Sequence, residues 1–196
     1  LNFTSRRGIV FGGAAAAERR QSMKEKGMDI EVAIKTALDY ENRVVKVYQD
    51  AAAKTLDPAG KRVFETLVRD EQSHVEYLKC KLDEWKKTGH VTPEKLATLV
   101  PAPERIEEAV KKLHDRVETK SKENELNLLK RALEVEIETG GFYKSVVREL
   151  PREGQELFER FIEIEEGHQK IVQAEIDSVS GSGFWFGMQE FDLEAG

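Results

Sequence analysis

Val68-Arg69-Asp70-Glu71-Gln72-Ser73-His74-Val75-Glu76-Tyr77-Leu78 sets a glutamate and a histidine three residues apart inside a segment whose apolar residues recur at helical steps. The same spacing returns at Glu165 and His168. Ahead of each pair stands a further glutamate followed seven residues later by a tyrosine: Glu41 with Tyr48, and Glu136 with Tyr143. The copies lie at a nearly constant offset: 136 − 41 and 143 − 48 give 95 residues, and 165 − 71 and 168 − 74 give 94. An internal repeat of this kind predicts two halves related by pseudo-twofold symmetry about one site.

Working outward, four amphipathic helices account for most of the chain. The first is expected from Ile30 to about Lys54, its stripe running Ile34, Ala37, Leu38, Glu41, Val45, Tyr48 and Ala52. Asp57-Pro58 announces the second, which carries Phe64, Leu67, Glu71, His74, Leu78, Leu82 and Trp85 and stops before Gly89. The third runs from about Glu123 to Leu150 through Leu126, Leu129, Leu133, Glu136, Gly140, Tyr143 and Val147. Pro151 opens the fourth, with Phe158, Phe161, Glu165, His168 and Val172. No alternating strand pattern competes, so the fold class is all-α. The short gaps make each pair an antiparallel hairpin, and the long link from Thr88 to Lys122 is a crossover between helices two and three. Thr92-Pro93-Glu94 and Pro103 each read as helix starts within it, with Ile106, Val110, Leu113 and Val117 as a modest apolar stripe. This is the ferritin-like four-helix bundle with a long helical crossover.

Residues 29–179 form that bundle, residues 1–28 a leader, and residues 180–196 an aromatic tail. In the leader, Ser5-Arg6-Arg7 followed by a short apolar run has the outline of a twin-arginine export signal, the alternative to a cytoplasmic location. The tail crowds Phe184, Trp185, Phe186 and Phe191 together after a Ser/Gly linker. It is expected to fold back on its own bundle, to reach across a subunit interface in a homo-oligomer (a dimer or larger), or to dock another protein. With 196 residues and a formal charge of -6, the chain holds one sizeable core and is a poor match for nucleic acid or an anionic membrane surface. No apolar run approaches the ~20 residues that span a bilayer. Cys80 is the one cysteine, so this chain holds no disulfide and no rubredoxin-type module, and electrons must come from an external donor.

The four glutamates replace apolar residues on the inward stripes, and the i, i+3 spacing brings each histidine to the same face. Four ionised carboxylates in a low-dielectric core cost several kcal/mol each unless compensated. Lys and Arg sit on the outer faces, and two histidines supply at most two charges. Two divalent ions close the count and leave the imidazoles neutral as ligands. The candidate ligands are therefore Glu41, Glu71, His74, Glu136, Glu165 and His168. One imidazole per ion among carboxylates suits iron, with manganese as the alternative. Tyr48 and Tyr143 are candidates to hold an opposite carboxylate by hydrogen bonding, or equally to be core residues. Gly140 and Gly141, costly inside a helix, either make room beside the metals or mark a bulge. His90 and His114 read as solvated, and Cys80 as a core or surface thiol.

With these residues in place, the chain resembles the rubrerythrin-like branch of the ferritin-like superfamily across about 29–179. The matching segments are Ala37-Leu38-Asp39-Tyr40-Glu41 with Tyr48, Asp70-Glu71-Gln72-Ser73-His74, Ala132-Leu133-Glu134-Val135-Glu136 with Phe142-Tyr143, and Glu165-Glu166-Gly167-His168. The resemblance implies Glu41 and Glu136 as terminal ligands, Glu71 and Glu165 as bridging ligands, and one histidine per iron. Peroxide-reducing rubrerythrins carry a further ligand glutamate where this chain has Thr139, so the six-ligand set is closer to the ferroxidase centre of bacterioferritins. The haem of that family needs a bundle methionine, whereas Met23, Met28 and Met188 lie outside the bundle, so no haem is expected.

The expected chemistry is oxidation of a di-Fe(II) centre by O₂ or hydrogen peroxide, of ferroxidase or peroxide-reductase type. A manganese catalase-like enzyme and a non-catalytic metal-binding or cargo module docking through its tail are the alternatives.

Overall fold

Each helix starts and stops where a side chain satisfies its free backbone groups. The computed structural model describes residues 29–101 and 123–181 together with Trp185. Helix α1 (Ile30–Lys54) begins at Asp29, whose Oδ1 accepts from the Glu31 amide at 2.7 Å. It ends at the extended Thr55. Helix α2 (Pro58–Thr88) has Asp57 accepting from the amides of Ala59 and Gly60, and Pro58 takes the position where a missing N–H is harmless. Lys86 and Lys87 complement its negative end, and Gly89, at φ 72°, closes it in the left-handed conformation that glycine adopts without strain. Helices α3 (Glu123–Glu149) and α4 (Arg152–Gly181) are joined by Leu150 and Pro151. The four spans agree with the sequence expectation to within three residues at each end.

The helices pair as two hairpins, α1 with α2 and α3 with α4, and the hairpins meet along α1 and α3. Glu125, at the start of α3, accepts from the Thr55 hydroxyl and from the Leu56 amide, so one buried carboxylate fixes the α1–α2 turn. Outside, Arg43 on α1 pairs with Glu138 on α3, two positions that the 95-residue repeat makes equivalent.

The apolar interior is divided in two. One cluster gathers Val44, Tyr48, Ala51, Phe64, Leu67, Leu129, Ala132, Ile171 and Val172 at the end holding the α1–α2 turn. The other gathers Ile34, Ala37, Leu78, Tyr143, Leu157, Phe158 and Phe161 at the opposite end. Between them sits a fully buried polar layer: Glu41, Glu71, His74, Glu136, Glu165 and His168. Val45, Ala52, Leu133 and Val147, expected on the inward stripes, lie on the flanks. The core runs instead through Val44, Ala51, Ala132 and Val146, one position earlier in each case, because α1 and α3 pack against each other and bring that side of each helix inward.

The first part of the crossover departs from expectation, since Thr92-Pro93-Glu94 opens no helix and residues 90–98 carry no regular structure. Its backbone groups are claimed by side chains of the bundle. The Val91 amide donates to Glu153, the Thr92 amide to Glu84 at 2.9 Å, and the Leu99 amide to Asp70 at 2.7 Å. Tyr77 bonds both the amide and the carbonyl of Glu94, and Arg160 donates to the Leu96 carbonyl at 3.4 Å. Partners on α2 recede from Glu84 to Asp70 while those on α4 advance from Glu153 to Arg160. The segment therefore lies as an extended strap in the groove between α2 and α4, with Val91, Leu96 and Val100 buried. Pro103 and the stripe Ile106, Val110, Leu113 and Val117 lie outside the described residues, as do the leader and the tail apart from Trp185 and from Ser180 and Gly181, which extend α4.

Trp185 returns to the bundle. Its ring meets Phe64 edge-on at 5.3 Å and covers Gly60, where a Cβ would come within 2.3 Å of the indole. Of the three places foreseen for the tail, this residue takes the one on its own bundle. His90 and Cys80 are exposed, and no helix among the described residues is long and apolar enough to cross a membrane.

The two unexpected glycines have different reasons. Helix α3 continues without a bulge through both. A Cβ on Gly140 would lie 2.6 Å from Nε2 of Gln169, which donates to the Glu136 carbonyl at 3.0 Å, so Gly140 makes room for a contact with α4. Gly141 meets nothing within 4 Å. Gly141→Ala should therefore raise stability by about 1 kcal/mol through helix propensity, whereas the same change at Gly140 should gain little or lose stability. Chemical denaturation of the two variants measures this; an equal gain at both positions would contradict the packing role of Gly140.

Candidate metal centre

The polar layer is assembled by four helices, each delivering its residues by periodicity alone. Glu41 comes from α1 and Glu136 from α3, while Glu71 with His74 and Glu165 with His168 occupy successive turns of α2 and α4. All six are wholly removed from solvent. Their ligand atoms form two groups, Glu41–Glu71–His74–Glu165 and Glu71–Glu136–Glu165–His168, in each of which the atoms lie within 4.8 Å of one another. Glu71 and Glu165 belong to both groups. The imidazoles stack at 5.5 Å with their planes 13° apart, one for each group.

Individual contacts show which atoms face the centre. Nδ1 of His74 is 3.1 Å from Glu71 Oε2 and 3.4 Å from Glu41 Oε2. Nδ1 of His168 is 2.5 Å from Glu71 Oε1 and 3.7 Å from Glu136 Oε2. The Nε2 atoms point the other way, toward Asp70. Tyr48 donates its hydroxyl to Glu136 and Tyr143 donates to Glu41, so each tyrosine holds the glutamate of the opposite repeat.

Apart from the His74–Glu71 hydrogen bond, the inward atoms meet one another at most as ion pairs. Oε2 of Glu41, Oε1 of Glu71, Oε2 of Glu136, both carboxylate oxygens of Glu165 and Nδ1 of His168 are buried without a hydrogen bond. Leaving one such atom unpaired costs about 1–3 kcal/mol, more for a charged group, and here they converge on one space. A donor set of carboxylates with one imidazole per group fits hard or borderline divalent ions such as iron or manganese.

Without metal, protons are held instead. Burial raises the Glu41 carboxyl from 4.5 to about 8, helped by the charge of Glu71 and opposed by His74. Burial and then the charges of Glu136, Glu41 and Glu71 push Glu165 well above its ordinary value. Burial alone would lower His74, but the charge of Glu71, the close contact with Glu41 and the hydrogen bond to Glu71 hold it at about 10. His168 is likewise raised against burial by Glu71, Glu136 and Asp70. Glu71 moves the other way: burial would raise it, but the charges of His168 and His74 keep it well below 4.5. Burial, followed by the neighbouring carboxylates, raises both tyrosines well above 10, so their hydroxyls remain donors.

All eight residues singled out from the sequence meet in this layer. Two participants escaped that reading. Asp70 accepts from Nε2 of His168 at 2.9 Å and lies 4.0 Å from Nε2 of His74. The available signal was an acid four residues before His74, present ahead of only one of the two Glu-x-x-His pairs. Gln169 was the other, and nothing in its spacing marks it.

A family model described as Rubrerythrin matches residues 12–81, which hold Glu41, Tyr48, Glu71 and His74. Over those residues the chain is similar to rubrerythrins, and its four-helix bundle is consistent with the ferritin-like fold. No curated protein and no solved structure matches it. The match begins inside the segment read as a leader and ends before the second hairpin. In the second hairpin Glu136, Tyr143, Glu165 and His168 stand at the positions that the internal repeat relates to Glu41, Tyr48, Glu71 and His74.

A pH dependence follows with a definite sign. His74, raised from 6.5 to about 10, contributes stability that is present below its unfolded value and lost as pH climbs toward the folded one. Glu41, raised from 4.5 to about 8, likewise favours the protonated folded state and adds a loss across its own window. The melting temperature of metal-free protein should therefore fall between about pH 6 and pH 9. Metal must displace these protons, so apparent affinity should rise over the same range with protons released on binding. Thermal scans and calorimetry in buffers of different ionisation enthalpy read both; a flat or rising apo profile would contradict the proton-held layer.

Proposed function

We propose that this chain is a non-haem diiron-carboxylate oxidoreductase of ferroxidase or peroxide-reductase type, acting on hydrogen peroxide or O₂. The observation that carries the reading is the sharing of Glu71 and Glu165 between the two ligand groups, which is what a bridged pair of ions requires. Glu41 and Glu136 would each complete one position, and His74 and His168 would supply one nitrogen each. A pair of iron ions bound by these residues would supply one electron apiece for reducing an oxidant with two linked oxygens, with an external donor needed to restore them.

The chain's own residues do the rest. Tyr48 and Tyr143 occupy one oxygen of Glu136 and of Glu41, which orients the other oxygen inward. The two apolar clusters close both ends of the layer, so bulk water is kept from the reacting groups. Where peroxide-reducing rubrerythrins carry an additional glutamate, Thr139 turns its hydroxyl back to the Val135 carbonyl at 2.8 Å. This favours the six-ligand, ferroxidase-like arrangement.

Protein prepared without oxygen should carry two iron ions per chain, and stopped-flow mixing with O₂ and with peroxide separately should show rapid oxidation by one of them. Glu71→Ala should weaken binding of both ions by at least about 100-fold, because both groups need that side chain. Cys80→Ala, on the surface, should bind as the parent does. Undiminished stoichiometry in Glu71→Ala would overturn the assignment.

A further inference from the structure

The two halves of the layer are not equal. Asp70 presents Oδ2 to Nε2 of His168 at 2.9 Å, and it is itself aimed by Thr98 Oγ1 at 2.5 Å and by the Leu99 amide at 2.7 Å. Nε2 of His74 is 4.0 Å from the same oxygen and is buried with no hydrogen-bond partner. The offset that relates Glu71 to Glu165 and His74 to His168 (94 residues) relates Asp70 to Ile164, since 164 − 70 is 94. Ile164 is buried in an apolar cluster. One repeat therefore carries an acceptor for the opposite histidine, and the other repeat has a hydrocarbon in its place.

A carboxylate on the far nitrogen of a ligating imidazole fixes its tautomer, holds the ring in position and makes the near nitrogen a better donor. His168 has all three advantages. For His74 neither the tautomer nor the far N–H is held. We propose that the two metal positions fill in order: first the position of Glu71, Glu136, Glu165 and His168, then that of Glu41, Glu71, Glu165 and His74, with Asp70 as the positioning residue that sets the order. This inference rests on the dinuclear reading and adds to it a one-metal state, with the second ion the exchangeable one. The strap takes part, because Thr98 and Leu99 hold the carboxylate that holds His168.

The test is an anaerobic titration of the full metal-free chain with Mn(II), followed by electron paramagnetic resonance and by calorimetry. At one equivalent the bound signal should be that of an isolated ion, and a coupled pair should appear only with the second. The two dissociation constants should differ by about 10–100-fold, the range for losing such an outer partner. Asp70→Asn should weaken the first ion until the two steps merge. Ile164→Asp, which gives His74 a partner, should tighten the second, a gain that a merely structural role for Asp70 does not produce. If Ile164→Asp loses its helical circular dichroism, Asp70→Asn with unchanged helicity decides the matter alone. A coupled pair at half loading, equal weakening of both steps in Asp70→Asn, or a third ion between Asp70 and the two Nε2 atoms would each overturn the order of filling. Failure of the parent chain to bind any Mn(II), Fe(II) or Co(II) would instead overturn the dinuclear reading.

Discussion

Charge burial governs this bundle. Four glutamates lie in a layer without solvent, and the nearest compensating groups are two imidazoles equally buried. An arrangement of that kind is tolerable only when something positive occupies the centre. Protons on Glu41, Glu165 and the two histidines serve in the metal-free protein, at the expense of six inward atoms without hydrogen bonds. Divalent metal would remove both difficulties together. The layer also interrupts the apolar core, so the packing on either side must hold four helices at a spacing that neither cluster sets alone.

The surrounding contacts support that spacing. Tyr48 and Tyr143 cross between the repeats, which ties α1 to α3 at the level of the site. Glu125 fixes the α1–α2 turn, and Gln169 bonds the backbone of Glu136 through the gap left by Gly140. On the opposite side the strap joins α2 to α4 through side-chain contacts rather than secondary structure. A segment held by partners on both helices resists their separation, which is the motion that would open the histidine side of the layer.

Much of this was legible in the sequence because helical periodicity is a local property. Asp57-Pro58 and Gly89 bound α2, and glutamates standing where apolar residues belong mark a buried polar layer by their spacing. The repeat supplied the register between halves. What escaped depends on neighbours far along the chain. Thr92-Pro93-Glu94 has the local form of a helix start, yet Glu84, Tyr77 and Glu153 take its backbone groups first. Asp70 sits one residue before a ligand, about 100° around the helix, and only the approach of α4 turns that face inward. Gly140 differs from Gly141 because α4 packs on it through Gln169 and Glu165, which are remote in the chain.

The departures from symmetry carry as much information as the symmetry. A perfect repeat would give two equivalent half-sites, and equivalent sites that share bridging carboxylates fill with no built-in order. Here the candidate ligands are duplicated while their supports are not: Asp70 answers to Ile164, and Gly140 to Val45. The first difference acts on an imidazole through its far nitrogen, the second on the Glu136 carboxylate through the helix that bears it. Both leave the ligand set intact and change how firmly each ligand is held. A dinuclear site built in this way would keep its stoichiometry while its two positions became distinct in affinity, which would separate what the ligands bind from how the protein handles each ion.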